Sequence, residues 1–322
     1  MATYGVWADR AFSAILRPRF CCYTAVDCVR SYLMSKTLRI GASKSPLLNL
    51  VPKISLQGFL SEIQPEFSEE QIQHIGQIAF ATYRHLNGSP KQREQTREGQ
   101  VLEKQWYKSL DNGNPDFTVY DGPYYVGELW ACWMKYSRPY LQAIEKPNSL
   151  PTNRILMDDL GTVKTIADLG CGLGYTTAAL TQLFPTANVW ATNLGNTVQM
   201  RIATKYAAQY GFGMRETVAE IAQPMDLIFA SEYFEHIPNP VTHLREILDI
   251  LHPRNMLIAN TFTADAIGHF RSYEVDGQRL SGKKTSLLFN KELRQRGYQK
   301  METNLWNNRP AYWKHIDWRY GA

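Results

Sequence analysis

The chain has 322 residues, 44% apolar and 12% aromatic, the composition of a folded globular protein and not of a disordered one. A balance of 35 basic against 30 acidic residues is too mild an excess to declare a nucleic-acid or membrane partner, and five cysteines without a CxxC pair argue against a disulfide framework. No run approaches the ~20 apolar residues of a membrane span, and Asp9 precedes any leader-like run, so a soluble, cytoplasmic protein without a membrane partner is expected.

Residues 1–60 are basic, with eight lysines and arginines from Arg10 to Lys53 against Asp9 and Asp27, and their turn-rich composition predicts short helices and loops. Ser68 and Gln71 have capping-box spacing and open a helix through Ile72, Ile75, Ile78 and Phe80 to about His85. A second, charged helix is expected over residues 91–109. The turn cluster from Asp111 to Pro115 then divides a helical accessory region, residues 1–115, from a second domain, residues 116–322. Tyr124 to Ile144 reads as an aromatic-rich helix, with Trp133, Tyr136 and Tyr140 on one face and Pro139 bending its end.

Beyond residue 160 short apolar runs alternate with helical patterns. Strands are expected at Thr165–Leu169, Val189–Asn193, Asp226–Ser231 and Met256–Thr261, and helices at Thr176–Leu183, Thr197–Tyr210 and Val241–Leu251. That rhythm builds βαβ units and an α/β fold with a parallel sheet covered on both faces. A helix around Lys291–Arg296 and two strands, Lys300–Leu305 and Ala311–Ile316, suggest a closing antiparallel pair.

The first strand ends in Asp168 and runs into Gly170, Cys171, Gly172 and Gly174 before a helix begins. Alternating glycines at such a turn let backbone pass close to a ligand that faces helix N–H groups. Tyr175 stands where a dinucleotide-binding GxGxxG loop needs its last glycine, and the acidic residue before the loop suits a cationic ligand better than a pyrophosphate. The run from Asp168 to Gly174 resembles motif I of the class I S-adenosylmethionine-dependent methyltransferases. The resemblance implies a Rossmann-like, seven-stranded sheet, here behind a helical N-terminal extension. It also implies a cofactor site of Asp168, Gly170, Cys171, Gly172, Gly174, Asn193, Leu194 and Ser231. In the family the second strand ends in an acidic residue that binds both ribose hydroxyls; Asn193 stands there, and a carboxamide can bridge them less strongly. Glu216 and Glu220 are alternative candidates for the position near the adenine.

The fourth strand leads into Glu232, Glu235, His236, Asn239 and Pro240, which looks like the ExxEH segment of small-molecule methyltransferases of the ubiquinone-biosynthesis type. His252 to Asn255 occupy the place of the family's Lys-Pro-Gly-Gly turn, without its glycines. The paired prolines of enzymes that methylate DNA amino groups are missing after Ser231, and no Pro-Cys dipeptide offers a cytosine-C5 nucleophile.

If the segment is helical, Glu232, Glu235 and His236 share a face and could hold a divalent cation; some relatives use this set for metal. Without metal, His236 is the general-base candidate, because transfer to oxygen or nitrogen requires removal of a proton. The catalytic candidates are therefore His236, Glu235 and Tyr125, the last at the start of the aromatic helix. The expected function is methyl transfer from S-adenosylmethionine to O or N of a small-molecule acceptor. A nucleic-acid or nucleotide acceptor stays open because of the basic start and of Arg271, Arg279, Lys283 and Lys284; a scaffold with a lapsed site stays open because of Asn193. Oligomeric state is not legible.

Overall fold

The computed structural model describes residues 54–88, 97–145, 160–303 and 310–318. The chain divides into two compact units, Met1–Pro46 and Leu47–Ala322. The first, with the arginines from Arg10 to Arg39, lies outside the described residues.

In the second unit, α1 (Leu56–Ile63) buries Phe59 and Ile63. The expected capping box opens α2 (Glu69–Asn87): Ser68 Oγ accepts from Gln71 N at 3.3 Å, and Gln71 Oε1 accepts from Ser68 N at 2.9 Å. The charged helix is α3 (Arg97–Asp111). The aromatic helix is interrupted. It runs as α4 (Pro123–Cys132), a π-helical turn (Trp133–Ser137) and α5 (Arg138–Glu145). Pro139 has no N–H to donate and its ring crowds the preceding turn, so a wider turn just before it keeps the helix path continuous.

The α/β part comprises β1 (Thr165–Leu169), α6 (Tyr175–Leu183), β2 (Asn188–Thr192), α7 (Val198–Tyr210), β3 (Gly213–Arg215), β4 (Leu227–Ser231), α8 (Pro240–Leu251) and β5 (Asn255–Ala259). A hairpin of β6 (Ser272–Val275) and β7 (Gln278–Ser281) follows, then α9 (Gly282–Gln295), β8 (Tyr298–Met301) and β9 (Ala311–His315). The seven-stranded sheet has the order β3-β2-β1-β4-β5-β9-β8, with β9 antiparallel to both neighbours. The chain reverses direction across the sheet between β1 and β4, where open α/β sheets bind ligands beyond their strand ends.

Successive residues of the central strands feed opposite cores. Leu227 and Phe229 join Ile166, Val189 and Leu257 in a cluster with α1, α2, α4, α6 and α7. Ile228 and Ala230 join Ala167 and Ile258 in a second cluster with α3, α8 and α9. The first is the seal of the N-terminal helices on the sheet.

Packing also runs between α3, before residue 115, and the sheet. Trp106 of α3 is 0% exposed, packs in the second sheet cluster, and donates from Nε1 to the His269 carbonyl at 2.7 Å. Residues 97–111 are therefore built into the same unit as the sheet, because an amphipathic helix with Trp106 and Tyr107 on one side must cover something apolar.

Three strands went unanticipated. The strand β3 is only three residues long. The hairpin β6–β7 turns at Asp276 and Gly277, whose φ values of +50° and +74° suit a tight hairpin turn; the Asp-Gly pair was the readable signal. The terminal helix begins nine residues earlier than Lys291, and most of the turn between β8 and β9 lies outside the described residues.

Candidate active site

After β1 the chain turns through Gly170, Gly172 and Gly174, with φ of +67°, +56° and +86°. The left-handed region is cheap only for glycine. A Cβ on Gly170 would also lie 2.4 Å from the Tyr233 ring, so the loop and the fourth-strand segment touch directly. Cys171 N donates to the Thr192 carbonyl at 3.0 Å, and Gly170 N to Thr192 Oγ1 at 3.3 Å. Asp168, beneath the loop, is buried and accepts from Thr177 Oγ1 at 2.6 Å. Burial pushes its carboxyl up to about 7, against the opposing pull of Thr177.

Asn193 braces this loop. Its Nδ2 donates to the Gly172 carbonyl at 2.7 Å and its Oδ1 accepts from Leu194 N at 2.9 Å. One N–H and one lone pair of the carboxamide are left for a ligand. The two glutamate alternatives separate. Glu220 closes a capping box with Thr217, whereas Glu216 lines the cavity, its carboxylate lying 2.5 Å from where a Cβ on Gly195 would be. Leu194, 50% exposed, offers an apolar side chain at the same end, and Ser231 Oγ at the end of β4 is buried without a partner among the described residues.

The loop opens into a cavity of about 980 Å³, enough for a nucleoside-sized ligand and a second small molecule. Its far wall is α4 with the preceding turn. Tyr124, Tyr125, Glu128 and Cys132 all line it, as do Trp133 and Tyr140 beyond. The Tyr125 ring meets Tyr120 edge-on at 4.8 Å, and burial raises its phenol well above the usual range, so it stays neutral. Burial, helped by Glu103, pushes the Glu128 carboxyl up to about 7. Sequence reading missed Glu128: it was one polar residue in an aromatic helix.

The fourth-strand segment is not the helix that the shared-face argument needed. Glu232 sits in the left-handed region at φ +52°, with its N–H donating to the Ala259 carbonyl at 2.6 Å, and only Phe234–His236 make a short 3-10 turn. The consequence is a corrected grouping. Glu232 and Glu235 meet His269 and not His236, with one ligand atom from each within 4.8 Å of the others. His269 comes from the loop after β5, 33 residues beyond His236, which no local spacing could reveal.

Glu235 is 0% exposed, accepts from Thr261 N at 2.7 Å, and does not line the cavity; burial and then Glu232 drive its carboxyl well above the usual range. His236 does line it. Its Nδ1 pairs with the Tyr120 hydroxyl at 3.0 Å, and its ring stands edge-on to His269 at 4.8 Å. Burial first, and His269 second, hold His236 down to about 3, so its imidazole is neutral and weakly basic.

Residues 167–259 match a family model described as a methyltransferase domain. Residues 167–259, from β1 through β5, therefore carry a methyltransferase domain. The chain is 33% identical over 128 residues to a trans-aconitate 2-methyltransferase of Azoarcus sp., a match covering 39% of this chain and 46% of the relative. It thus spans less than half the length of that curated relative. Among solved structures it matches an O-methyltransferase of a Brevibacillus brevis trans-AT PKS multienzyme in complex with S-adenosyl-L-homocysteine, at 18% identity over 37% of this chain and 48% of that one, TM-score 0.28. Another match is the plantazolicin methyltransferase BpumL in complex with a monoazolic desmethylPZN analog and SAH, at 14% identity over 59% and 62%, TM-score 0.31.

The chain departs from the Lys-Pro-Gly-Gly turn expected after α8 without losing the turn itself. His252 takes the left-handed C-cap that a glycine would fill, at φ +37°, and its carbonyl accepts from Trp318 Nε1 at 2.9 Å. The late basic residues Arg271, Arg279, Lys283 and Lys284 do not line the cavity; Arg271 stacks 3.6 Å over the Tyr107 ring. Among the described residues no helix is long and apolar enough to cross a membrane.

Proposed function

We propose that the protein transfers the methyl group of S-adenosylmethionine to an oxygen or nitrogen atom of a small-molecule acceptor. The observation that carries this reading is the glycine loop, left-handed at three positions, opening directly into a walled cavity with an acidic base at Asp168. When bound, S-adenosylmethionine supplies an electrophilic methyl group on a sulfonium. The chain's residues fit it: Asp168 beneath the loop faces its cationic part, Leu194 and Glu216 its flat base, and Asn193 its sugar hydroxyls. Tyr125 and the rest of α4 wall the cavity opposite the loop. His236, held neutral, orients groups through Tyr120 better than it removes protons.

The relative's name gives trans-aconitate, a carboxylate, as acceptor. Among the described residues no lysine or arginine lines this cavity, so a different acceptor is favoured here. The same lack disfavours a phosphate-bearing acceptor. A second reading places a divalent cation on Glu232, Glu235 and His269, supported by the unpartnered, buried Glu235 Oε2. Two carboxylates and an imidazole suit such an ion.

Calorimetric titration of the folded protein with S-adenosylmethionine and S-adenosylhomocysteine tests the first reading: both should bind, and absence of heat from both returns the chain to a scaffold role. Activity unchanged after EDTA treatment removes the cation.

Binding should depend on pH through Asp168. The free carboxyl titrates near 7, and a cationic ligand favours the ionised form, so the bound value is lower. Affinity is then level above about pH 7 and weakens on acidification, by up to about tenfold per unit, with proton release on binding. Glu128 titrates in the same range, so Asp168→Asn is the control: weaker binding, with the acid-side slope reduced. A wild-type slope unchanged in Asp168→Asn would assign the effect elsewhere.

A further inference from the structure

Resting on the methyltransferase reading, we infer that the acceptor is an amine, recognised as a cation by Glu128 and Glu103 within a ring of tyrosines. Glu128 projects from the middle of α4 into the cavity and has no hydrogen-bond or ion-pair partner among the described residues. Glu103 of α3 lines the same cavity and acts on Glu128 electrostatically. The Glu128 carboxylate, in a cavity without a lysine or arginine among its described lining residues, costs free energy until a cation enters.

The surrounding wall suits that cation. Tyr124, Tyr125 and Cys132 lie one helical turn from Glu128, at i−4, i−3 and i+4, and all line the cavity. Tyr120 packs edge-on against Tyr125 and stacks with Phe117 at 6.2 Å, and all three line the cavity, so aromatic surface continues along its wall. Aromatic faces attract ammonium groups and repel carboxylates. An independent sign of a polar occupant is Thr82 of α2, 6% exposed and lining the cavity, whose Oγ1 has no partner among the described residues. A hydroxyl oxygen can accept from an ammonium N–H.

The chemistry closes on this assignment. An ammonium must lose a proton before its nitrogen has a lone pair, and the Glu128 carboxylate takes that proton. The amine nitrogen then forms a bond to the methyl carbon as the carbon–sulfur bond breaks, its electron pair remaining on sulfur. The products are the methylated ammonium and S-adenosylhomocysteine, and Glu128 returns its proton to solvent. Glu128 is thus the recognition residue, and also the general base that His236 was expected to be.

Three probes of one shape and different charge test this: 2-phenylethylamine, 2-phenylethanol and phenylacetate, titrated with and without saturating S-adenosylhomocysteine. The amine should bind at least about tenfold more tightly than the alcohol, a difference of about 1.4 kcal/mol, and the acid most weakly. Glu128→Gln should erase the amine's advantage while leaving S-adenosylhomocysteine affinity unchanged. Glu103→Gln should reduce the advantage about threefold through the lost charge alone. Equal or tighter binding of the acid, or an amine advantage that survives Glu128→Gln, overturns the inference. So does loss of S-adenosylhomocysteine affinity in Glu128→Gln, which would give the carboxylate to the cofactor's own ammonium. If S-adenosylhomocysteine fails to bind wild-type protein, the methyltransferase reading falls, while the charge order of the probes on the unliganded cavity still decides the amine site.

Discussion

Gly172→Val should lose at least about 100-fold in affinity for S-adenosylhomocysteine, about 2.7 kcal/mol, while the protein remains folded. Two consequences of the substitution separate cleanly. In the left-handed region at φ +56°, any L side chain costs about 1–2 kcal/mol, a tolerable charge on global stability. The new Cβ meets only Leu129 of α4, at an ordinary 3.5 Å, so no backbone is forced apart. The added methyl groups instead occupy the gap between loop and α4, through which a ligand on the loop must pass. Calorimetry at matched concentrations reads the loss, and a thermal melt confirms folding. Undiminished affinity in a folded Gly172→Val protein would remove the loop as the cofactor's seat.

Trp106→Ala should cost about 3–5 kcal/mol of stability and do so for the whole described unit at once. The indole is 0% exposed, stacks edge-on to Phe270 at 5.6 Å, and donates to the His269 carbonyl. Its removal leaves a cavity between α3 and the sheet and orphans one buried acceptor. Because the same bond holds the His269 loop, the cavity wall should loosen as well. Urea unfolding followed by far-UV circular dichroism and by fluorescence should show coincident, shifted transitions. A sheet transition left in place, with a separate early one for the N-terminal helices, would show that α3 and the sheet unfold independently.

Much of the architecture was legible because it is local. Ser68 and Gln71 close their capping box across three residues, and β1 falls at Thr165–Leu169 as its apolar run requires. The strand–helix rhythm announced the parallel sheet, and the glycines announced a turn that a ligand can approach. Pro139 carried its warning too, although the chain answered with a π turn instead of an end. Asp276 and Gly277 marked a hairpin that reading for a parallel sheet passed over.

What only the tertiary structure decided is which distant residues share the cavity. Within the fourth-strand segment the sequence alone paired His236 with Glu232 and Glu235; the left-handed bend at Glu232 breaks the helical spacing on which that pairing rested, and the β5 loop brings His269 in its place. Asn193 looked like a ligand contact, yet half its bonding capacity is spent on Gly172 and Leu194. Glu128 carried no periodic or motif signal, since a single glutamate in a helix is as easily solvated as enclosed. Its chemistry arises from α4 being laid over the glycine loop, where desolvation and Glu103 change what a carboxylate does. Local spacing determines elements, because backbone hydrogen bonds and side-chain periodicity act over a few residues. Burial and charge at a site depend on groups that the chain separates by a hundred residues and packing returns to contact.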